Sequence, residues 1–333
     1  MEVDRQRAVD VATAAFESHG ISASDAELTA EVLVSANARG KHSHGLLRLP
    51  RFIRGIEHGN VDPDGDIEIT TERGSSVTLS GGSRLGPVVA SEAAVLAMER
   101  ADEFGIGAIG VHDTNHLGML GYYTDLIRSD GYVGVAITNT EPAMPPHGGT
   151  EPILGTNPIA IGLPTDPVFN LDMSTSAIAR GTVLHKKAAD EPIPEDRALD
   201  ATGEPTTDPD AALQGMILPF GGVKGSGIAI AIEVLAGGLV GAAMGTAVTG
   251  TYHTKDPCTK GDLFLTIDPE AFGNPNFASE ASAFLRDMKR HSGSTTDEIR
   301  LPGERSVRRD RDRETVEIED DCWQDVCALA EPN

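Results

Sequence analysis

Lysine is scarce in this chain of 333 residues: it supplies only 7 of the 27 basic residues, and arginine supplies the other 20. Basic charge is itself outweighed, because 51 Asp plus Glu leave a formal net charge of −24. That acid excess repels nucleic acid and anionic membranes, so neither is expected as a partner. Cysteine is also rare. Cys258, Cys322 and Cys327 are too few and too late for a disulfide framework, and no C-x-x-C pair or Cys/His cluster points to a metal site. The longest apolar run, Ile228 to Val248, is interrupted by Glu233 and by glycines, so it reads as a buried helix rather than a membrane span. The first ten residues hold charge on both sides and no apolar stretch, so no export signal is expected and the location reads as cytoplasmic.

What is present in place of lysine is carboxylate, which holds water and salt well. A strongly acidic, lysine-poor surface tolerates its self-repulsion where salt screens it, and at 1 M the Debye length is about 3 Å. The composition therefore reads as that of a halophilic cytosol. The length suggests two or three domains and a core burying roughly three-quarters of the unfolded surface.

Along the chain, apolar spacing predicts helices over 4–40, interrupted at Gly20, with Ser24 as N-cap and Glu27 closing a capping box on the second helix. A loop, KHSHG, precedes a helix over 46–57. Strands are expected at 67–71, 76–80, 108–111, 133–138, 158–163, 169–173 and 263–267, and helices at 88–104, 119–129, 224–245 and 277–290. Residues 186–212, rich in Pro, Asp and Thr, read as a surface loop, and the segment from 291 as a charged tail. The class is mixed α/β, without regular βαβ alternation in the second half.

Gly105, Gly107 and Gly110 satisfy the G-x-G-x-x-G dinucleotide pattern, with Asp130 as the acid further on. The context is reversed, however: a helix precedes these glycines and a strand runs through them, whereas the fingerprint needs a strand, then glycines, then a helix. A helix C-cap at Gly105 and a tightly packed strand explain the glycines better. Lys224 in GGVKGSG does not have phosphate-loop spacing either.

Four polar clusters could carry chemistry. Lys41-His42-Ser43-His44-Gly45, with Arg48 and Arg51 following, places an imidazole beside a guanidinium, which suits a carboxylate substrate; a capping loop is the alternative. Asp113-Thr114-Asn115-His116-Leu117-Gly118 lies between a strand end and a helix. There His116 could be a general base held neutral by the helix dipole, or Asp113 or Asn115 could simply cap the helix. Gly155-Thr156-Asn157-Pro158 with Ser174-Thr175-Ser176 could hold phosphate or ribose, or form turns. Gly221 to Gly227, containing Lys224, opens the apolar helix and could receive an anion at its N-terminus.

The ordered blocks SHGLLRLPRF, DTNHLG, LGTNPIAIGLP, LDMSTSAIARG, ALDATGEPTTDP, LPFGGVKGSGIAIAIEVLAGGLVGA and LPGE resemble the malate/lactate dehydrogenase family of non-Rossmann type. Ureidoglycolate, sulfolactate and cyclic-imine reductases belong to the same family. The resemblance runs from about residue 5 to 305 and implies a mixed α/β fold. In it, a helical substrate and dimerisation domain (1–115 with 285–333) flanks a cofactor domain (116–284) built on a largely antiparallel sheet. It further implies NAD or NADP as cofactor, a homodimer or a multiple of one, and a small carboxylate substrate. Carried over by position, His116 matches the general acid/base, with His44 as the other candidate proton carrier, and Ser43 and Arg48 lie around the substrate. Thr140, Ser174, Thr175, Ser176, Lys224, Gly303 and Glu304 match cofactor contacts. Phe52, Val223 and Glu233 depart from residues common in relatives. The activity implied is interconversion of a 2-hydroxy acid and its 2-oxo acid. Alternatives are reduction of a cyclic imino acid, ureidoglycolate oxidation, or a non-catalytic ligand-binding relative.

Overall fold

A computed structural model describes residues 1–291 and 299–331. Strand β1 (Glu2–Asp4) leads into α1 (Arg5–Glu17), where the Asp4 carboxylate caps the helix by accepting from the Arg7 amide at 2.8 Å. Helix α2 (Ala23–Ala38) is capped by Ser22, not by Ser24 as expected; the chain turns helical two residues earlier, leaving Ser24 inside the first turn. Two short 3₁₀ turns, His42–His44 and Leu46–Arg48, precede α3 (Leu49–Glu57). Then come β2 (Glu68–Arg73), β3 (Ser76–Ser80), α4 (Gly86–Phe104), β4 (Ile106–His112), α5 (Leu120–Ser129), β5 (Val133–Thr138), β6 (Ile159–Leu163) and β7 (Phe169–Met173).

The region expected as a loop over 186–212 is folded. Helix α6 (Arg180–Ala188), strands β8 (Ala198–Leu199) and β9 (Pro205–Thr206), helix α7 (Pro209–Gln214) and strand β10 (Met216–Ile217) surround a small core of Val183, Ile193, Ala198 and Ala212. Its Asp and Thr residues are turn-formers: Asp200 Oδ1 accepts from the amides of Thr202 and Glu204, closing the β8–β9 hairpin.

The apolar run is also shorter as a helix than expected. Helix α8 (Val223–Ile232) widens into a π turn over Glu233–Gly238, where the Glu233 carboxylate turns inward to accept from Asn139, Asn157 and the Gly245 amide. Nor is it buried all round: Ile228, Ile230, Val234, Leu235 and Leu239 are exposed on one side. Strand β11 (Asp262–Ile267), α9 (Phe277–Arg290), α10 (Glu304–Asp312), β12 (Thr315–Glu317) and α11 (Asp320–Leu329) follow, so the charged tail holds two helices and a strand.

Seven strands form one sheet in the order β2-β3-β4-β11-β5-β6-β7, antiparallel throughout except for β3 against β4. Residues 68–112 therefore share a sheet with 133–173 and 262–267, across both segments expected as domains. Helix α4 buries Ala90, Ala93, Ala94, Ala97 and Ala101, a stripe at helical spacing, against one face of this sheet together with Tyr123 and Ile127 of α5. The glycines of the false fingerprint serve this packing. Gly105 caps α4 at φ +82°, and a Cβ at Gly107 would lie 2.0 Å from the Ala97 carbonyl. The opposite face takes Ile232 and Ala236 against Ile137 and Leu263.

A second layer joins the two ends of the chain. β1 pairs antiparallel with β12, setting Val3 against Val316, and α1, α2 and α11 share a core containing Phe16, Leu33 and Trp323. Asp310 of α10 accepts from Ser35 Oγ at 2.6 Å and from Arg39 Nε at 2.8 Å, and it also pairs with Arg5. No helix among the described residues is long and apolar enough to cross a membrane.

Candidate active site

The C-terminal ends of β4, β5 and β7 and the N-terminal ends of β11 and β6 lie at one edge of the sheet, as the partners Val111–Asp262–Thr138, Ile137–Ile159 and Ile159–Met173 require. Every cluster singled out after a strand end therefore lies near this edge.

His116 follows β4. Asn115 anchors its loop by donating from Nδ2 to the carbonyls of Ser83 (2.7 Å) and Arg84 (3.0 Å). Neither Asp113 nor Asn115 caps α5, and His116 is not at that helix's N-terminus. Gly118, at φ +75°, breaks the chain first and α5 begins at Leu120. The Gly118 amide instead donates to His116 Nδ1 at 2.9 Å, which assigns the proton of the neutral ring to Nε2.

His44 approaches from the helical layer. Asn37 of α2 holds the KHSHG loop, its Oδ1 accepting from the Leu46 amide at 2.8 Å. Close packing of Asn37 Oδ1 against Gly45 leaves 2.0 Å for a Cβ there, so only glycine fits. The Ser43 hydroxyl lies 3.0 Å from His44 Nδ1, and Arg48 Nε donates to the Ser43 carbonyl at 2.7 Å. The rings of His44 and His116 are 5.8 Å apart, and Phe52 packs edge-on to His116 at 6.5 Å. The structure brings His44, Arg48 and His116 together, with Ser43 as the link between the first two.

The charge around these rings is positive. Burial, then Arg48 and Lys41, push the His44 pKa down to about 3; burial, Arg48, His44, Arg51 and Lys260 hold His116 well below the usual range. Burial and the neighbouring Arg51 lower Arg48 itself to about 10. Lys260 is compensated, because it donates to both oxygens of the fully buried Asp262 at 2.7 and 2.6 Å.

The candidate cofactor residues form a second group at the same edge. Thr140 follows β5; its amide donates to Asn157 Oδ1 and its hydroxyl accepts from the Thr156 amide at 3.0 Å. Thr175 is buried and donates to the Thr156 carbonyl at 2.9 Å, so its hydroxyl serves the turn. Ser174 and Ser176 keep their hydroxyls together, 2.7 Å apart. The Thr175–Ala177 backbone runs against Leu218–Phe220, and that segment leads straight into the glycines before α8. Gly221 and Gly222 have φ of +56° and +61°, the space over Gly221 is open, and Lys224 stands exposed in the first turn of α8. This donor set (open backbone, a lysine, a helix N-terminus and two serines) fits a phosphate-bearing cofactor. The Gly303–Glu304 turn packs against Asn170 of β7, but the Glu304 carboxylate is engaged by Lys289.

Arg180, Tyr252 and Glu141, to which the sequence assigned no role, complete the surroundings together with Arg51. Arg180 lies over the Tyr252 ring at 4.9 Å, and Arg51 approaches the same ring at 6.0 Å. Glu141 secures the Tyr252 loop by accepting from the amides of Tyr252 and His253.

Comparison with known proteins places the whole chain among one set of enzymes. The family described as malate/L-lactate dehydrogenase matches residues 3–327. The L-sulfolactate dehydrogenase of Methanothermobacter thermautotrophicus is 41% identical over 99% of this chain and 96% of its own. A Δ1-pyrroline-2-carboxylate/Δ1-piperideine-2-carboxylate reductase of Pseudomonas putida is 33% identical over 92% of this chain and 89% of its own. The solved sulfolactate dehydrogenase of Methanocaldococcus jannaschii superposes with a TM-score of 0.93 at 40% identity, covering 99% of this chain and 96% of that one. The chain belongs to the malate/L-lactate dehydrogenase family.

Proposed function

We propose that this protein is a nicotinamide-dependent dehydrogenase that interconverts a 2-hydroxy acid and its 2-oxo acid. The observation that carries this reading is the pairing of two imidazoles, 5.8 Å apart and held neutral by burial and then by neighbouring cations, with the Arg48 guanidinium beside them. Arg48 offers a fork for the C1 carboxylate, its Nε already fixed on the Ser43 carbonyl. His116 presents Nε2–H to the C2 oxygen. In reduction that oxygen gains charge and takes the proton from Nε2, and the ring is then reprotonated from solvent; in oxidation the ring first gives that proton to solvent, and Nε2 then takes the proton of the C2 hydroxyl. The cations around the ring favour this by stabilising negative charge on the oxygen or on the ring. The nicotinamide, when bound, gives or takes the hydride at C2. Ser174, Ser176, Lys224 and the open backbone at Gly221 would hold its phosphates and ribose, with Thr140 supporting the turn beneath them; Lys224 places a cation where phosphate charge would lie.

His116→Ala is the decisive test: turnover should fall about 10²–10⁴-fold with nucleotide affinity little changed. Near-normal turnover would reject the assignment and move it to His44. Arg48→Lys should raise KM for the carboxylate substrate more than for the nucleotide, and Lys224→Ala should do the reverse. The panel pairs 2-oxo acids and cyclic imino acids with both NADH and NADPH, and its outcome selects cofactor and substrate class. Activity confined to the imines would replace this reading with the imine reductase one.

We further propose a homodimer or a multiple of it. The exposed apolar side of α8 and the turn after it, with Ile228, Ile230, Val234, Leu235 and Leu239, needs a cover, and a second copy supplies one of matching character. Sedimentation at molar salt giving only a 35.0 kDa species would refute it.

A further inference from the structure

A basic cleft opens at the opposite edge of the sheet, in a chain whose charge balance is −24. It has a volume of about 520 Å³ and lies where α5 ends, where β6 turns into β7, and beside the first turns of α9. Strand register separates it from the candidate active site. Gly134 opposes Gly162 and Leu163 opposes Phe169 at the cleft edge, whereas Ile159 opposes Met173 at the other. Three guanidiniums line the cleft, those of Arg128, Arg286 and Arg311, and Asp166 is the only acidic residue among the described residues lining it.

The carboxylates nearby do not neutralise these cations. The Arg128 side chain is only 5% exposed and touches Asp125 through Nη2, yet its Nε is buried without a hydrogen-bond partner. Asp125 is shared, because it also pairs with Arg39 at 2.7 Å. Arg311 reaches Asp125 only at 3.9 Å and otherwise donates to the Ser129 hydroxyl at 3.3 Å. Arg39 draws on Asp310 as well, but Arg5 occupies that acid too. Four guanidiniums in this linked set thus answer to two carboxylates. Arg286 donates from Nη1 to the Asp166 carbonyl at 2.5 Å, while the Asp166 carboxylate stands 3.8 Å from it and 96% exposed to water. A buried guanidinium nitrogen with no acceptor is costly in free energy unless something fills the position.

The cleft has a further donor. Helix α9 starts at its wall with no capping side chain on Asn276, and Ala278 and Ser279 of the first turn line the space. Amides in that turn have no acceptor within the helix, and the helix dipole favours negative charge there.

We propose that this cleft binds an oxyanion of the phosphate class, at a position separate from the candidate cofactor phosphates near Lys224. Phosphate spreads its charge over several oxygens, which forked guanidiniums and helix amides pair with directionally, whereas chloride offers a single centre. Free phosphate would leave most of a 520 Å³ space to water, so the cleft also has room for the phosphoryl group of a small organic ester. The assignment does not depend on the dehydrogenase reading.

Equilibrium dialysis of the full chain against inorganic phosphate, and separately against glycerol 3-phosphate, tests it at an ionic strength held fixed with KCl. The proteins compared are the native chain, Lys224→Ala, and Arg286→Gln combined with Arg311→Gln. Arg286 and Arg311 are 50% and 55% exposed, so their replacement leaves the buried Arg128 in place. The native protein and Lys224→Ala should share one saturable site per chain, with affinities equal within about twofold. The double glutamine variant should bind there at least about tenfold more weakly. Arg286→Lys combined with Arg311→Lys, with charge but no forks, should recover part of the loss. Tighter binding of glycerol 3-phosphate identifies an organic phosphate as the ligand; equal or tighter binding of inorganic phosphate identifies the free ion. No saturable binding of either anion, undiminished affinity in the double glutamine variant, or loss of the site in Lys224→Ala overturns the proposal.

Discussion

Glu233 is a carboxylate inside an apolar helix, and its removal should be the most expensive single truncation near the candidate site. Its Oε1 accepts from Asn139 Nδ2 and the Gly245 amide, each at 2.9 Å, and its Oε2 accepts from Asn157 Nδ2 at 2.7 Å. Asn139 in turn receives the Gly261 amide and Asn157 the Thr140 amide, so one carboxylate ties the ends of β5, β6 and β11 together. Hydrogen bonds to a charged group contribute about 1.5–3 kcal/mol each, and an orphaned buried donor costs about 1–3 kcal/mol. In Glu233→Ala both asparagine amides keep one carbonyl each, Ala243 and Ala229, but the Gly245 amide keeps nothing. The expected loss is therefore about 3–4 kcal/mol, below the simple sum. With an unfolding entropy of about 2.1 cal/mol/K per residue, 333 residues give about 0.7 kcal/mol/K, so the melting temperature should fall by about 4–6 °C. Glu233→Gln keeps one acceptor and turns a donor toward Asn157 or Asn139, so it should lose about half as much. Calorimetry of the three proteins in one buffer and salt measures this. A Glu233→Ala shift below about 1 °C would refute the reasoning and make the carboxylate a bystander.

Asp310→Ala strips a buried acceptor from Arg39, Arg5 and Ser35 and should cost about 3–5 kcal/mol in urea unfolding, with Asp310→Asn intermediate. The folded-state pKa of His44 lies near 3, below its unfolded value near 6.5, so the unfolded chain binds more protons between those limits. Stability should be full above about pH 6.5 and decline as pH falls toward 3, and a His44→Gln variant should show a shallower decline; an unchanged slope would exclude His44 as the source. The charge balance of −24 predicts a melting temperature that rises from low to molar KCl, and a flat response would remove the halophilic reading.

Elements whose apolar pattern is local were legible residue by residue. β5 (Val133–Thr138), β7 (Phe169–Met173) and α9 (Phe277–Arg290) have the boundaries that alternation or helical spacing gives. The misreadings share a physical cause, which is partners distant in sequence. Strands of two residues such as β8 hold only because β9 and β10 flank them, and composition at 186–212 shows only their turns. The helix at 224 ends early because Glu233 finds amides at 139, 157 and 245. The charged stretch at 304–312 is helical where Asp310 meets Arg39, 271 residues away. At the site, His44, Arg48 and His116 stood out because their loops carry recognisable chemistry. Tyr252 and the buried guanidinium of Arg51 did not, since an arginine near the start of a helix is usually a solvated one. Its burial depends on Gly250, 199 residues later.

The pairing of β1 with β12 also dictates when this chain can finish folding during synthesis. Val3 and Phe16 belong to a core that includes Val316, Trp323 and Val326, and the terminal ammonium of Met1 donates to the Ile318 carbonyl at 2.7 Å. Residues 3 and 16 must therefore wait for residues 316–326, and at about 5–20 residues per second that interval is tens of seconds. Through it, the apolar face of α1 and α2 has no α11 to cover it, so nascent chains carry an aggregation-prone surface until α11 has emerged.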